Sequence, residues 1–226
     1  MKAMILAAGR GKRMMPLTAN MPKPMLEVAG LPLLAYHIAR CKAAGITEIV
    51  INLAWQGDKI RDYFQDGSKF GVQIEYSQEP IAGLETAGGI LAALPLLCSQ
   101  TESQFVVING DIFTDYQLDS LLQLHLAAGE GHLVLVENPP QHPEGDFTLC
   151  HQPLNPTRYT FSGIARYDRA FFDGITPGFV ALGPILRERI AAGQVSTELY
   201  LGEWHDVGTP ERLAELNAQQ GGAHVG

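Results

Sequence analysis

Short apolar runs rich in Val and Ile alternate along this chain with stretches whose apolar residues recur at helical spacing. Residues 2–8, 48–53, 72–76, 105–109 and 133–137 read as strands. Residues 33–44 read as a helix ending at Gly45, a residue suited to a left-handed cap, and 58–64, 86–97 and 118–128 as further helices. Parallel strands need helical crossovers of this kind. The alternation therefore predicts an α/β fold, a Rossmann-like, mostly parallel twisted sheet with helices on both faces. Residues 138–159 break the rhythm with Pro, His, Gly and Asn and read as a long loop or a small β-ribbon. Beyond them, 160–167 is strand-like, 185–192 is helical, and a final helix starts at Pro210. With no repeat and no strong linker, residues 1–226 are read as a single domain with an insert at about 138–160 and a flexible tail at 220–226.

The net charge of −8 argues against nucleic acid as a partner. No apolar run is long enough to span a bilayer, and MILAA is too short for a signal-peptide core. A cytoplasmic protein without a membrane partner is the expectation. Cys41, Cys98 and Cys150 are odd in number and lack metal-ligand spacing, so they are expected to be small apolar fillers. All six lysines lie between Lys2 and Lys69, which concentrates ammonium groups in the N-terminal part.

The first strand runs directly into LAAGRGKRMMPLT, residues 6–18. A glycine loop after a strand is where an open α/β sheet binds its ligand. The dinucleotide pattern G-x-G-x-x-G fails, because Met14 stands where the third glycine belongs. The strand at 48–53 also ends in Asn52 and Leu53 rather than in an acidic residue for a ribose. The Walker pattern fails too, because Gly11-Lys12 is followed by Arg13 and not by Ser or Thr. What remains is either a solvated basic turn or a loop whose backbone N–H groups, with Arg10, Lys12 and Arg13, suit a triphosphate.

LAAGRGKRMMPLT followed by Pro22-Lys23-Pro24 resembles the signature of the sugar-phosphate nucleotidyltransferases, which join a nucleoside triphosphate to a sugar 1-phosphate. Three further segments are similar to that family. These are Asn109-Gly110-Asp111 at a strand end, Trp204-His205-Asp206-Val207-Gly208-Thr209, and the stretch from Tyr76 through Gly89. The resemblance implies a GT-A-like nucleotide-diphospho-sugar transferase fold with a small sugar-binding insert. It implies that Leu6, Ala7, Ala8, Gly9, Gly11, Lys12, Arg13, Lys23, Gln78 and Gly88 meet the nucleotide. Arg13 would hold the β- and γ-phosphates and Lys23 the reacting α-phosphate. Asp111 and Asp206 would hold Mg²⁺, the implied cofactor. Arg13, Lys23, Asp111 and Asp206 are thereby the catalytic candidates. For Asp206 a helix entry at Thr209-Pro210 is a compatible reading.

Within the family, residues 137–140, 145–147 and 160–164 resemble the small bacterial N-acetylmuramate α-1-phosphate uridylyltransferases of cell-wall recycling. That likeness implies UTP and N-acetylmuramate α-1-phosphate as substrates, with Glu85, Thr86, Asn109, Asp146 and Ser162 on the sugar. Asp146 reads equally well as a turn residue from the residues alone. The lysine of the family's E-K-P segment is missing, and Arg158 and Arg166 are candidate partners for a lactyl carboxylate. The chain leaves no room for a C-terminal β-helix, from which monofunctional, monomeric behaviour is expected. A mannose-1-phosphate guanylyltransferase and a catalytically dead sensor or scaffold of the same fold are the alternatives.

Overall fold

A computed structural model describes residues 1–150 and 157–222. In chain order the strands and helices are β1 (Lys2–Leu6), β2 (Glu27–Val28), β3 (Leu31–Pro32), α1 (Leu33–Ala43), β4 (Glu48–Leu53) and α2 (Gly57–Phe64). Next come β5 (Gln73–Gln78), α3 (Glu85–Leu97), β6 (Gln104–Asn109), β7 (Ile112–Thr114), α4 (Asp119–Gln123) and β8 (Gly131–Val136). The last are β9 (Phe147–Thr148), β10 (Arg158–Asp168), α5 (Leu182–Ala191), β11 (Val195–Tyr200), β12 (Trp204–Asp206) and α6 (Pro210–Gly222).

The main sheet runs in the order β11-β8-β10-β6-β1-β4-β5, with β9 paired to β10. Strands β5, β4, β1 and β6 are mutually parallel, as are β8 and β11, and β10 runs antiparallel between β6 and β8. The mostly parallel sheet expected from the alternation is thus present as a mixed sheet. Alternation along β1 fills both faces. Ala3 and Ile5 pack with Leu34 and Ile38 of α1 and Phe64 of α2, while Met4 packs with Ile90 of α3 and Leu186 of α5. A third cluster joins Met14 and Leu26 of the N-terminal loops to Phe113, Val207, Leu213 and Leu216, and so docks α6 beside the start of the chain.

After β1 the chain builds β4 and β5 to one side, then crosses back to place β6 on the other. That reversal leaves a crevice outside the carboxyl ends of the strands, where an open α/β sheet accepts ligands. Leu6 of β1 lies in register with Asn52 of β4 and with Asn109 of β6, so three strand ends open on one place.

Helix α4 ends at Gln123, well short of the expected 128. Arg166 of β10 supplies the reason. Its Nη1 donates to the carbonyls of Leu121 (2.9 Å), Leu122 (3.1 Å) and Leu124 (2.9 Å), and its Nη2 to Gln104. The guanidinium is buried, so it caps this helix and is not free to meet a substrate carboxylate. Strands β7, β11 and β12 go beyond the elements read from the sequence, and β9–β10 form the ribbon of the expected insert, whose residues 151–156 lie outside the described residues. Residues 220–222 belong to α6 rather than to a tail, and 223–226 lie outside the described residues. All three cysteines are free, and burial pushes the Cys41 thiol up to about 12. Among the described residues no helix is long and apolar enough to cross a membrane.

Replacing Arg166 by Leu should lower unfolding free energy by about 2–3 kcal/mol, because it orphans carbonyls that the guanidinium now satisfies. Urea denaturation checks this, and a loss below about 0.5 kcal/mol would contradict the capping role.

Candidate active site

Four adjacent parallel strands each deliver a polar or glycine-rich turn to the crevice, which has a volume of about 450 Å³. Leu6, Ala8, Gly9, Arg10 and Lys12 come from β1 and the turn after it. Asn52 comes from β4, Glu79 from just past β5, and Asn109 and Asp111 from the end of β6 and the turn beyond. Lys23 and Pro24 close the floor, and Ile81 through Thr86, with Phe179, form the opposite wall.

The glycine turn is held in shape by its own residues. Gly11 has φ +62°, a left-handed conformation that favours glycine, and a Cβ there would lie 3.0 Å from Thr18 Cγ2 and 3.2 Å from Lys23 Cβ. The Thr18 hydroxyl donates to the Gly11 carbonyl at 2.8 Å, and Trp55 Nε1 donates to the Thr18 carbonyl at 3.3 Å. Arg10 lies over the Trp55 ring, 4.6 Å from its centroid. Lys12 and Arg13 belong to one short 3₁₀ turn, with Lys12 lining the crevice and Arg13 exposed outside its lining.

Lys23 is the one buried lysine of the described residues, with 6% of its surface exposed. Its Nζ donates to Asp111 Oδ2 at 2.6 Å, a distance typical of charge-assisted hydrogen bonds. The pairing sets a cation from the N-terminal loop against the carboxylate that follows β6. Asp111 is the more open partner, with its side chain 37% exposed against 8% for Lys23. Asp206 lies one strand away. Strand β12 pairs antiparallel with β7, Asp206 opposite Ile112, and the Val207 N–H donates to the Asp111 carbonyl at 3.1 Å. The Asp206 carboxylate is held by Arg212 Nη1 at 2.5 Å and faces a second cleft of about 430 Å³ between α6 and residues 136–141. The two residues are thus neighbours through the backbone, while the Asp111 carboxylate lines the crevice and the Asp206 carboxylate lines the second cleft. Their hard oxygens are the donor type that magnesium takes, with phosphate oxygens and water completing its shell. Among the described residues no group of three or more His, Cys, Asp or Glu forms a ready-made metal cage.

Of the residues singled out from the sequence, Leu6, Ala8, Gly9, Lys12, Lys23, Glu85, Thr86, Asn109 and Asp111 line the crevice. Glu85 also has φ +61°, a left-handed conformation that costs a non-glycine residue about 1 kcal/mol. Ala7 is buried and donates its N–H inward to Asn52. Gln78, Gly88, Asp146 and Ser162 fall outside the lining. Gln78 Nε2 donates to the carbonyls of Leu53 and Glu79, and Gly88 is buried against the carbonyl of Gly178. Asp146 accepts from the Phe161 N–H at 2.9 Å and pairs with His142 at 3.0 Å, so its carboxylate closes the β9–β10 ribbon. Ser162 is buried at an irregularity of β10, its hydroxyl accepting from the Ile164 N–H and its carbonyl from Trp204 Nε1. Arg158 is exposed and donates to the Asp146 carbonyl.

Asn52, Glu79, Ile81, Phe179 and Arg212 were not assigned roles from the sequence. Asn52 could have been found as the last polar residue of β4, and Glu79 as the polar residue just past β5. Phe179 carries no sequence signal, since it lies in the irregular segment before α5. No histidine of the described residues lines the crevice. His37 is fully buried and pushed down to about 3 by burial and by Arg40, and burial also lowers His132.

The profile of the nucleotidyl transferase family matches residues 2–153. The N-acetylmuramate alpha-1-phosphate uridylyltransferase of Neisseria meningitidis serogroup B is 51% identical, over 98% of this chain and 99% of its own length. A mannose-1-phosphate guanyltransferase of Gibberella zeae is 35% identical over 68% of this chain and 42% of its own length. Among solved structures, a candidate glucose-1-phosphate thymidylyltransferase from Bacillus anthracis, in complex with sucrose, superposes with a TM-score of 0.82. It covers 97% of this chain and 95% of its own at 23% identity, a likeness of fold.

The asymmetry of the Lys23–Asp111 pair has a measurable consequence. Asp111→Asn strands a buried ammonium and should cost about 1–3 kcal/mol, whereas Lys23→Met leaves a carboxylate that water can reach and should cost about 1 kcal/mol less. Urea unfolding of both variants checks this, and a larger loss from Lys23→Met would contradict the described burial.

Proposed function

The chain belongs to the nucleotidyl transferase family, and we propose that it transfers the uridylyl group of UTP to N-acetylmuramate α-1-phosphate, releasing pyrophosphate. The coarser activity, nucleotidyl transfer to a sugar 1-phosphate, is that of the family and its relatives. The uridylyl and muramyl assignment is supported by the 51% identity to the Neisseria enzyme across nearly the full length of both chains. We propose further that the protein works in peptidoglycan recycling, in the cytoplasm and as a single-domain monomer. The observation that carries the site is the Lys23–Asp111 pair in the crevice at the strand reversal.

The chemistry asks for positioning and charge neutralisation rather than covalent help from the protein. A phosphate oxygen of the sugar 1-phosphate forms a bond to the α-phosphorus of UTP as the bond to the bridging oxygen of pyrophosphate breaks. That nucleophile is already an anion at neutral pH and needs no general base, in keeping with a crevice that no histidine of the described residues lines. The glycine turn brings backbone N–H groups to the phosphates, and Arg10 and Lys12 line the place where the pyrophosphate would leave. Arg13, on the same turn, adds to the positive field. Lys23 offsets charge gathering at the α-phosphorus. Asp111 and Asp206 would hold Mg²⁺, which supplies charge neutralisation between the two anions when bound. Glu85, Thr86 and Asn109 line the acceptor side. Asp146 and Ser162 are committed to the ribbon and to β10 and take no part in that lining.

A guanylyltransferase reading is favoured by the Gibberella relative, and a dead scaffold would have no use for a buried lysine–carboxylate pair in an open crevice. Pyrophosphate release, measured with each nucleoside triphosphate against a panel of sugar 1-phosphates, separates the three. UTP with N-acetylmuramate α-1-phosphate should be the best pair, and Asp111→Asn should lower its turnover by about a hundredfold or more while remaining folded. GTP with mannose 1-phosphate as the best pair would overturn the assignment, and no release from any pair would favour the scaffold.

A further inference from the structure

At the nucleotide end of the crevice, a chain of hydrogen bonds ties the glycine turn to the opposite wall. The Ala7 N–H donates to Asn52 Oδ1 at 2.7 Å. Asn52 Nδ2 donates to Glu79 Oε1 at 2.6 Å, and the Leu84 N–H donates to Glu79 Oε2 at 2.9 Å. The Glu79 N–H donates to the Leu53 carbonyl at 2.8 Å, which fixes where the wall begins. Asn52 and Glu79 are 3% and 4% exposed, yet both contribute to the crevice lining. Burial pushes the Glu79 carboxyl up, and the two donated hydrogen bonds oppose that shift.

A buried carboxylate with no cation of the described residues paired to it is an expensive way to join two loops, since packed apolar side chains would do so without the desolvation cost. What the polar pair adds is direction. It fixes the backbone amide that opens the phosphate-facing turn and the amide that opens α3, and so fixes the distance between the two walls. Gly89 of α3 leaves the space for it. A Cβ at that position would lie 2.5 Å from Glu79 Oε1 and 3.0 Å from Asn52 Nδ2.

We propose that Asn52 and Glu79 form a positioning clamp that sets the width of the nucleotide end of the crevice, and through it the affinity for the nucleoside triphosphate. The clamp rests on the reading that this crevice takes a nucleoside triphosphate. Its polarity is fixed: the Asn52 carbonyl must face Ala7 and its amide must face the carboxylate. Glu79→Gln has one acceptor oxygen and can serve Asn52 Nδ2 or the Leu84 N–H but not both, and Asn52→Asp presents a carboxylate to a carboxylate. The double variant, Asn52→Asp with Glu79→Gln, reverses the pair. The introduced carboxylate then accepts from the Ala7 N–H and from the introduced amide, whose own carbonyl still accepts from the Leu84 N–H.

The test is calorimetric binding together with thermal melting. Wild-type protein is titrated with UTP, GTP, CTP and dTTP, and the tightest ligand is carried to the variants. Each single variant should bind it about tenfold more weakly, the loss expected when a hydrogen bond to a charged group is broken. The double variant should return to within about threefold of wild type. Single variants that bind like wild type would overturn the clamp alone, as would a double variant that regains its melting temperature without regaining affinity. Binding of none of the four nucleotides by wild-type protein would overturn the triphosphate reading and the clamp with it. Should a single variant fail to fold, Gly89→Ala, which crowds the clamp without altering its chemistry, takes its place with the same tenfold expectation, and unchanged affinity would overturn the clamp.

Discussion

Lys23 and Asp111 meet across the place where the chain reverses its direction of travel through the sheet. One comes from the loop after β1 and the other from the turn after β6, and β1 and β6 are neighbours. A buried ammonium is tolerated only with a partner, so the pair requires both turns to be in place at once. The third apolar cluster does that work, packing Met14 and Leu26 of the N-terminal loops with Phe113 and Val207. Through β12 and α6 it also brings Asp206 beside Asp111. In the proposed metal site the C-terminal part of the chain would add Asp206 to what the N-terminal part begins.

The carboxyl ends of β1, β4, β5 and β6 present polar or turn-forming residues rather than continuing their apolar runs. Leu6 passes into the glycine turn, β4 reaches Asn52, β5 is followed by Glu79, and β6 ends at Asn109. Parallel strands buried on both faces read as unbroken apolar stretches. The polar residues at their tips are therefore where fold and chemistry meet, and the Asn52–Glu79 contact shows one such tip serving another.

Much of this is legible in the residues alone. The alternation specifies the layered α/β architecture, and the loop with Pro22-Lys23-Pro24, Asp111 and the box around Asp206 specifies the family. What escapes has physical causes. Helix α4 has helical spacing beyond Gln123, but Arg166, more than 40 positions away in sequence, takes its last carbonyls. Strands β7 and β12 are three residues each and exist because they pair with one another. Strand β11 does carry a signal, the alternating, β-branched pattern of an edge strand in Val195–Tyr200. Asp146 and Ser162 stand in segments that resemble a sugar subsite, yet their side chains are committed to backbone amides of the ribbon and of β10. Spacing reports which residues are near a site. It does not report which way a side chain turns.

The central claim is that the Lys23–Asp111 pair marks the point of nucleotidyl transfer. A crystal structure of the protein with Mg²⁺ and a non-reactive UTP analogue tests it most directly. The account predicts that Lys23 Nζ leaves Asp111 for a phosphate oxygen of the bound nucleotide, with Asp111 turned to the metal. A nucleotide bound elsewhere, or bound in the crevice with the 2.6 Å Lys23–Asp111 contact intact, would contradict it.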